Sequence, residues 1–134
     1  MQTIRAQSLA IQVTNGGSRC IVQLCGELEM ASAPACRLAL DAVLDEGGAD
    51  VLIDLRGLTF LDSTGLSTLL QAHVVGAERA RRVSFIPGDR TVQRVFEITE
   101  MDSRVEWADA VARVLPRPAR RASPEYLHAS ALSA

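Results

Sequence analysis

The sequence predicts an α/β domain over residues 1–115, with a mixed, mostly parallel sheet of four to five strands and about four helices. Strand-like and helix-like segments alternate along most of the chain, and such alternation requires crossover connections between parallel strands. Residues 51–55 are apolar except for Asp54, as strands buried in parallel sheets are. The chain has 134 residues, of which 48% are hydrophobic, so it can bury one core.

The first two strands are predicted from alternation and a turn. Within residues 4–13, apolar side chains alternate toward the end of the segment and so share one face of a strand. Residues 15–18 read Asn-Gly-Gly-Ser, which is typical of a hairpin turn. Residues 20–26 then form the second strand, which we expect to be antiparallel to the first.

The next segments predict a helix followed by a buried strand. Ser32 is the expected N-cap of the helix, with Pro34 in the first turn, where its missing N–H is harmless. Gly47 marks the end of the helix. Residues 51–55 form the strand, and residues 58–61 continue it in an extended conformation. The apolar residues of the helix that recur at helical spacing are Leu38, Leu40, Ala42, Val43 and Leu44.

A second helix is predicted from about residue 64 to residue 80. Its expected apolar stripe is formed by Leu66, Leu69, Leu70, His73, Val74 and Ala77. Within that stripe, His73 is expected to be a half-buried core or interface residue. Three arginines follow, where positive charge favours a helix C-terminus, and we expect Arg79, Arg81 and Arg82 to be solvated.

The last third of the chain predicts two more strand and helix pairs. Residues 83–86 form a strand, and Asp89 caps the third helix. Residues 104–107 form a short last strand, and residues 108–115 form a last helix. Residues 116–134 contain three of the five prolines with many alanines and serines, which predicts a flexible, disordered tail.

Composition and charge exclude several function classes. The net charge of −2 and the aromatic content of 4% disfavour direct DNA binding and other nucleic-acid recognition. The chain has no lysine, so Schiff-base chemistry is excluded. No apolar run approaches about 20 residues and the start lacks a signal-peptide pattern, so we expect no membrane insertion. We expect Cys20, Cys25 and Cys36 to be buried thiols in a reducing cytoplasm.

The segment with the most chemical interest is residues 60–66, Phe-Leu-Asp-Ser-Thr-Gly-Leu, where a buried strand ends and a helix begins. One interpretation is helix capping, in which Asp62 or Ser63 accepts hydrogen bonds from the first N–H groups. The other is a phosphorylation switch, because a phosphate there would lie over free N–H groups at the positive end of the helix dipole. Gly65 in the first turn indicates that another group approaches closely. The pattern alone leaves both interpretations open.

These motifs resemble those of STAS domains, most closely the bacterial anti-sigma factor antagonists, over roughly residues 8–115. Residues 26–29, Gly-Glu-Leu-Glu, are similar to the family's Gly-Glu-Leu-Asp after the second strand. Residues 58–66 resemble the family's turn, in which Phe, Met or Leu, Asp, Ser, Ser or Thr, Gly and Leu follow a buried strand. Glu29 departs from the usual aspartate by one methylene.

The resemblance implies a STAS-like fold and a regulator of sigma-factor-dependent transcription. In such antagonists the serine after the aspartate, here Ser63, is phosphorylated by the anti-sigma factor, an ATP-dependent serine kinase. The unphosphorylated antagonist binds the anti-sigma factor and releases the sigma factor. The phosphorylated form does not bind, and a phosphatase resets it. Thr64 is the less favoured second hydroxyl.

We expect the partner-binding face to join the loop after the second strand to the start of the second helix. Its expected members are Glu27, Glu29, Met30, Asp62, Ser63, Thr64, Gly65, Leu66 and Ser67.

Catalytic and ligand-binding functions find little support in the sequence. Ser63 lacks the first glycine of a nucleophile elbow, and His73 lies about 15 Å further along the helix, out of its reach. Two isolated histidines and no paired cysteines provide no metal ligand set. Phosphate-binding glycine motifs are absent, and any ATP would belong to the partner kinase. We therefore expect no enzyme activity, no metal and no cofactor.

Two alternatives to the antagonist remain open. The first is a STAS subunit of a membrane lipid or anion transporter, which would dock on a cytoplasmic ATPase or carrier domain without phosphorylation. The second is a scaffold domain in a large stress-sensing assembly, which would self-associate into a large particle.

Overall fold

The computed structural model of the chain describes residues 2–108. Within this range the chain forms one six-stranded sheet and three helices. The elements in chain order are β1 (Gln2–Ala6), β2 (Leu9–Gly16), β3 (Arg19–Leu28), α1 (Ala33–Asp45), β4 (Asp50–Leu61), α2 (Ser63–Glu78), β5 (Val83–Ile86), α3 (Arg90–Ile98) and β6 (Glu106–Trp107).

The strands lie in the sheet in the order in which they occur in the chain. β1 pairs with β2 and β2 with β3 in antiparallel fashion, whereas β3, β4, β5 and β6 pair in parallel. The three crossovers that carry α1, α2 and α3 therefore all advance in the same direction. Since such crossovers are right-handed, all three helices lie on one face of the sheet.

The core lies between this face and the helices. It combines strand residues such as Ile11, Val22, Ile53 and Phe85 with Leu40 of α1, Leu69 of α2 and Phe96 of α3, each at most 2% exposed. All three cysteines are buried, and burial raises the pKa of the Cys36 thiol to about 12.

The predicted strand count and strand directions need correction. The predicted number was four to five, mostly parallel, but the sheet has six strands, and two of its five pairings are antiparallel. Residues 4–13 do not form one strand, because the chain turns at Gln7 and Ser8 and separates β1 from β2. Gln7 adopts a left-handed φ of 55° without the glycine that usually marks such a turn.

The helix predictions also change in detail. Three helices occur among residues 2–108, and the predicted last helix and the tail lie outside the described residues, apart from Ala108. The buried stripe of α2 is rotated from the predicted one, because Ala72 and Gly76 are buried while Val74 and Ala77 are exposed. Gly76 allows α2 to approach β5 closely, because a Cβ at this position would lie 2.4 Å from Cγ2 of Val83.

One of the three arginines after α2 is buried rather than solvated. Arg81 is 5% exposed, and its guanidinium donates hydrogen bonds to the carbonyl oxygens of Val43 and Ala49. It therefore satisfies carbonyl groups at the end of α1 and in the following loop. Arg79 and Arg82 stay exposed and form ion pairs with acidic residues of α1 and β6.

Candidate functional site

The ends of β3 and β4 bring the two sequence motifs together. Leu28 and Leu61 are partners in the parallel register, so the loop after β3 and the start of α2 emerge at the same edge of the sheet. A register shift before this point places Thr59 as an extra residue in β4. The shift turns Leu61 into the core at 3% exposure and leaves Phe60 45% exposed beside the site.

Asp62 joins three segments at this edge. One carboxylate oxygen, Oδ1, accepts a hydrogen bond of 2.8 Å from the backbone N–H of Gly65, which caps α2. The other, Oδ2, accepts one of 3.0 Å from the N–H of Met30 in the loop after β3. The N–H of Asp62 itself donates to the carbonyl oxygen of Leu28 over 3.3 Å. Asp62 is therefore both a helix cap and a bridge between the two motifs.

Ser63 occupies the first position of α2 and is exposed, as is Thr64 after it. The N–H groups of these two residues have no partner within the helix, because the first turn has no preceding carbonyls. Asp62 takes the hydrogen bonds of Gly65, through its side chain, and of Leu66, through its carbonyl. A phosphate on Ser63 would thus find two donors and the positive end of the helix dipole.

Gly65 and Leu66, two residues of the expected partner-binding face, are buried. A Cβ at Gly65 would lie 2.5 Å from the carbonyl oxygen of Leu28 and 2.9 Å from Cδ1 of Leu61. Leu66 is 4% exposed and packs in the core. These two residues set the close approach of α2 to β3 and β4, while Ser67 is exposed one turn after Ser63.

The loop after β3 is held by its own side chains. Ser32 is fully buried, and its hydroxyl donates to the carbonyl oxygen of Glu27 at 2.8 Å and accepts from the N–H of Glu29 at 3.1 Å. Ser32 does stand at the N-cap position of α1, but it forms no side-chain capping hydrogen bond there, contrary to our prediction. Glu29 Oε1 accepts from the N–H of Ala31, which folds this half-buried carboxylate over the loop.

Gly26, the first residue of the Gly-Glu-Leu-Glu motif, is required by the backbone conformation and by the space at its position. Gly26 adopts a φ of +111°, and a Cβ there would lie 2.0 Å from the carbonyl oxygen of Ser8. The same carbonyl accepts the N–H of Glu27. Gly26 is thus required where β3 passes the start of β2, and this directs Glu27 to the surface.

The edge is acidic and carries two exposed apolar side chains. Glu27, Glu29 and Asp62 contribute three carboxylates, and residues 20–36 and 57–78 contain no arginine or lysine. Met30 is 70% exposed and Phe60 is 45% exposed. The site therefore offers apolar contact area within a negatively charged surround.

The sequence did not predict that Phe60 is exposed at the surface. It also did not predict that the buried Ser32 hydroxyl holds the loop after β3 through hydrogen bonds to its backbone. Phe60 belongs to the quoted motif, but its direction depends on the register shift at Thr59, which no simple alternation predicts. A serine before a helix normally indicates a cap, and nothing in the sequence distinguishes that role from the buried one seen here.

The described residues bring no catalytic or metal-binding set together at this edge. Within residues 2–108 no group of three or more potential metal ligands occurs. His73 lies on α2 well below its N-terminus, and its Nδ1 is buried. The same part of the chain contains no helix with the length and apolar character needed to cross a membrane.

Comparison with solved structures gives the same fold. An anti-sigma factor antagonist from Mycobacterium paratuberculosis superposes with a TM-score of 0.68 at 25% identity, covering 79% of this chain and 90% of that one. A putative antagonist from Thermotoga maritima reaches 0.66 at 18% identity, covering 78% and 90%. The Bacillus cell fate determinant SpoIIAA in its phosphorylated form reaches 0.59 at 20% identity, covering 78% and 99%.

No curated protein matches the sequence significantly. A family model described as "Mlab, STAS domain" does match, over residues 11–114. That range contains both motifs, every helix of the described fold and all the expected site residues, so the chain belongs to the STAS domain family.

Proposed function

We propose that this protein is an anti-sigma factor antagonist, which binds an anti-sigma factor with serine kinase activity and is switched off by phosphorylation of Ser63. The observation that carries the proposal is the exposed Ser63 hydroxyl at the first position of α2, beside the bridging carboxylate of Asp62. The likeness to the mycobacterial antagonist, at 25% identity, supports the same role.

The position of Ser63 suits a switch that changes binding without unfolding the protein. The helix dipole and the two open N–H groups favour a phosphate there, which adds about −1.5 to −2 charges at neutral pH. Phe60 and Met30 lie in the segments on either side of the bridge that Asp62 forms. A partner that covers these apolar side chains would have to bury the phosphate as well, and burying an unpaired charge is costly. Phosphorylation would therefore disfavour the complex.

The partners under this proposal are the kinase, which brings its own ATP, and a phosphatase that restores Ser63. The protein acts in the cytoplasm and needs neither a cofactor nor direct contact with DNA.

A second candidate is a docking subunit of a membrane transporter that works without phosphorylation. The observation in its favour is that Asp62 alone caps α2, so the motif is useful to the fold even if Ser63 is never modified. In that case the same edge would bind its partner whatever the charge at position 63.

The experiment that separates the two is affinity capture from a native host lysate with the wild type, Ser63→Ala and Ser63→Glu as baits. We expect an ATP-binding serine kinase on the wild type and Ser63→Ala, with at least about a tenfold loss on Ser63→Glu. Gln71→Glu is the matched control, because it adds one charge on an exposed position of the same helix, two turns away. Transporter subunits captured equally by all baits would overturn the antagonist proposal in favour of the docking subunit.

A further inference from the structure

The loop after β3 begins with a helical turn that leads directly into α1. The N–H of Ala33 donates to the carbonyl oxygen of Glu29 over 2.8 Å, which is the i to i−4 hydrogen bond of an α-helix. The N–H of Ser32 donates to the same carbonyl over 3.1 Å. Ser32 itself has helical dihedral angles, with φ −97° and ψ −16°. The turn therefore starts at Glu29, and Ser32 lies inside it.

Glu29 caps this turn with its side chain. Oε1 of Glu29 accepts a hydrogen bond of 3.1 Å from the N–H of Ala31, two positions later. That N–H belongs to the first turn of the helix, whose donors have no carbonyl partner within the helix. A side-chain oxygen that accepts such a hydrogen bond acts as an N-cap. Ser32 forms no capping hydrogen bond because the cap lies three residues earlier.

Met30 is the residue that Glu29 and Asp62 hold in place together. Its own N–H donates to Oδ2 of Asp62 over 3.0 Å, and the following N–H, that of Ala31, donates to Glu29. Two carboxylates therefore bind two successive N–H groups, one on each side of the Met30 Cα. The Met30 side chain is 70% exposed, so these hydrogen bonds fix its backbone without burying it.

The contact that Glu29 makes needs an acceptor oxygen but no charge. A glutamine amide oxygen could accept the same N–H, although it could not form an ion pair with a partner's cation. The Glu29 side chain is half-buried and already bound within the loop, whereas Glu27, the other acid of the Gly-Glu-Leu-Glu motif, is exposed. A role inside the loop and a role as a charge can therefore be separated by one substitution.

We propose that Glu29 is a positioning residue, which holds the Met30 side chain beside Ser63 so that an apolar pocket of the partner can receive it. The inference rests on the proposed function, in which this partner is the serine kinase. What the kinase recognises here is the thioether of Met30 and not the charge of Glu29. A thioether adapts to the shape of an apolar pocket, and a backbone that is already fixed lowers the ordering cost of binding.

The first test needs no partner and measures the protection factor of the Ala31 amide by hydrogen exchange in the full-length protein. Glu29→Ala should lower it by about fivefold through loss of the cap, and Glu29→Gln should keep it within about twofold of the wild type. Glu27→Ala is the matched control, because it removes an exposed carboxylate from the same motif, and it should leave Ala31 unchanged. The Gly65 amide should keep its protection in every variant and reports that the start of α2 is intact.

The second test measures phosphorylation of Ser63 by the kinase that the wild type captures, at varied concentrations of this protein. Glu29→Ala should raise KM by about fivefold and change kcat by less than about twofold, since the loop contributes to binding while Ser63 stays in place on α2. Glu29→Gln should restore the KM of the wild type. Met30→Ala should raise KM at least as much as Glu29→Ala. In that background Glu29→Ala should add less than about twofold, because the side chain that it positions is gone.

Four results would overturn the proposal. An Ala31 amide that Glu29→Ala leaves unchanged would mean that the side chain does not cap the turn. A KM that is as high in Glu29→Gln as in Glu29→Ala would mean that the kinase binds the charge. Independent, additive effects of Glu29→Ala and Met30→Ala would mean that Glu29 does not act through Met30. A fall in kcat at unchanged KM would mean that Glu29 does not act in binding.

Failure of the proposed function would give a different result. A wild type that captures no kinase and is not phosphorylated would contradict that function, and the kinase's pocket for Met30 with it. The exchange of the Ala31 amide involves no partner, so it would still decide whether Glu29 holds the loop.

Discussion

α2 and α3 both begin after an aspartate N-cap, but the residues around the two caps differ. Asp62 and Asp89 are both extended N-cap residues whose side chains accept the N–H three positions later, from Gly65 and Val92. In α2, the Asp62 carboxylate also accepts a hydrogen bond from the N–H of Met30, in the loop after β3. The third position is a glycine pressed against the Leu28 carbonyl in α2, and a buried valine in α3.

The comparison shows that helix capping accounts for the aspartate at position 62 but not for the serine and the glycine that follow it in the motif. At α3 a charged Arg90 follows the cap, and at α2 the small hydroxyl of Ser63 follows it. The α2 end is a junction of β3, β4 and a helix, and it holds the exposed Ser63 at a fixed place. The predictions below test this difference, from the largest expected effect to the smallest.

Gly65→Ala should show the largest effect on stability. Alanine normally stabilises a helix relative to glycine by about 1 kcal/mol, but here its Cβ would collide with backbone at Leu28. We expect the free energy of unfolding to fall by about 1–3 kcal/mol in urea denaturation. Thr64→Ala, at the exposed neighbouring position, is the control and should change it by less than about 0.5 kcal/mol. A Gly65→Ala protein as stable as the wild type would show that the junction is not tightly packed.

Asp62→Ala should cost more than the loss of a helix cap alone. The substitution removes a cap, which is worth about 1 kcal/mol, and it also leaves the Met30 N–H without its partner. We expect a loss of about 2 kcal/mol in the free energy of unfolding. Hydrogen exchange at the Met30 amide should accelerate in Asp62→Ala. A loss of about 1 kcal/mol with no change at that amide would reduce Asp62 to a simple cap.

Substitutions at the first helical position should have the smallest effect on stability. Ser63→Ala, Ser63→Glu and Arg90→Ala each alter an exposed side chain, so we expect the free energy of unfolding to change by less than about 0.5 kcal/mol. Thermal denaturation of the three variants measures this directly. A large loss in Ser63→Glu would mean that phosphorylation disrupts the fold rather than the partner surface.

The sequence predicts the local features of the site better than the geometry that connects them. The strand, turn and helix around residues 51–66 and the Asp89 cap follow from short-range rules, and the structure contains them. The direction of Phe60 does not follow, because the extra residue at Thr59 changes the alternation. The burial of Arg81 does not follow either, since it depends on carbonyl groups more than 30 residues away.

Locating a phosphate in the intact protein tests the central claim most directly. The full-length wild type and Ser63→Ala would each be incubated with native host lysate and ATP, recovered, and sequenced by tandem mass spectrometry. The account predicts one phosphate on Ser63 in the wild type and none at Thr64 or Ser67 in either protein. A phosphate on Thr64 or Ser67 instead, or an unmodified Ser63 in a sample that has captured its kinase, would contradict the claim that Ser63 is the switch.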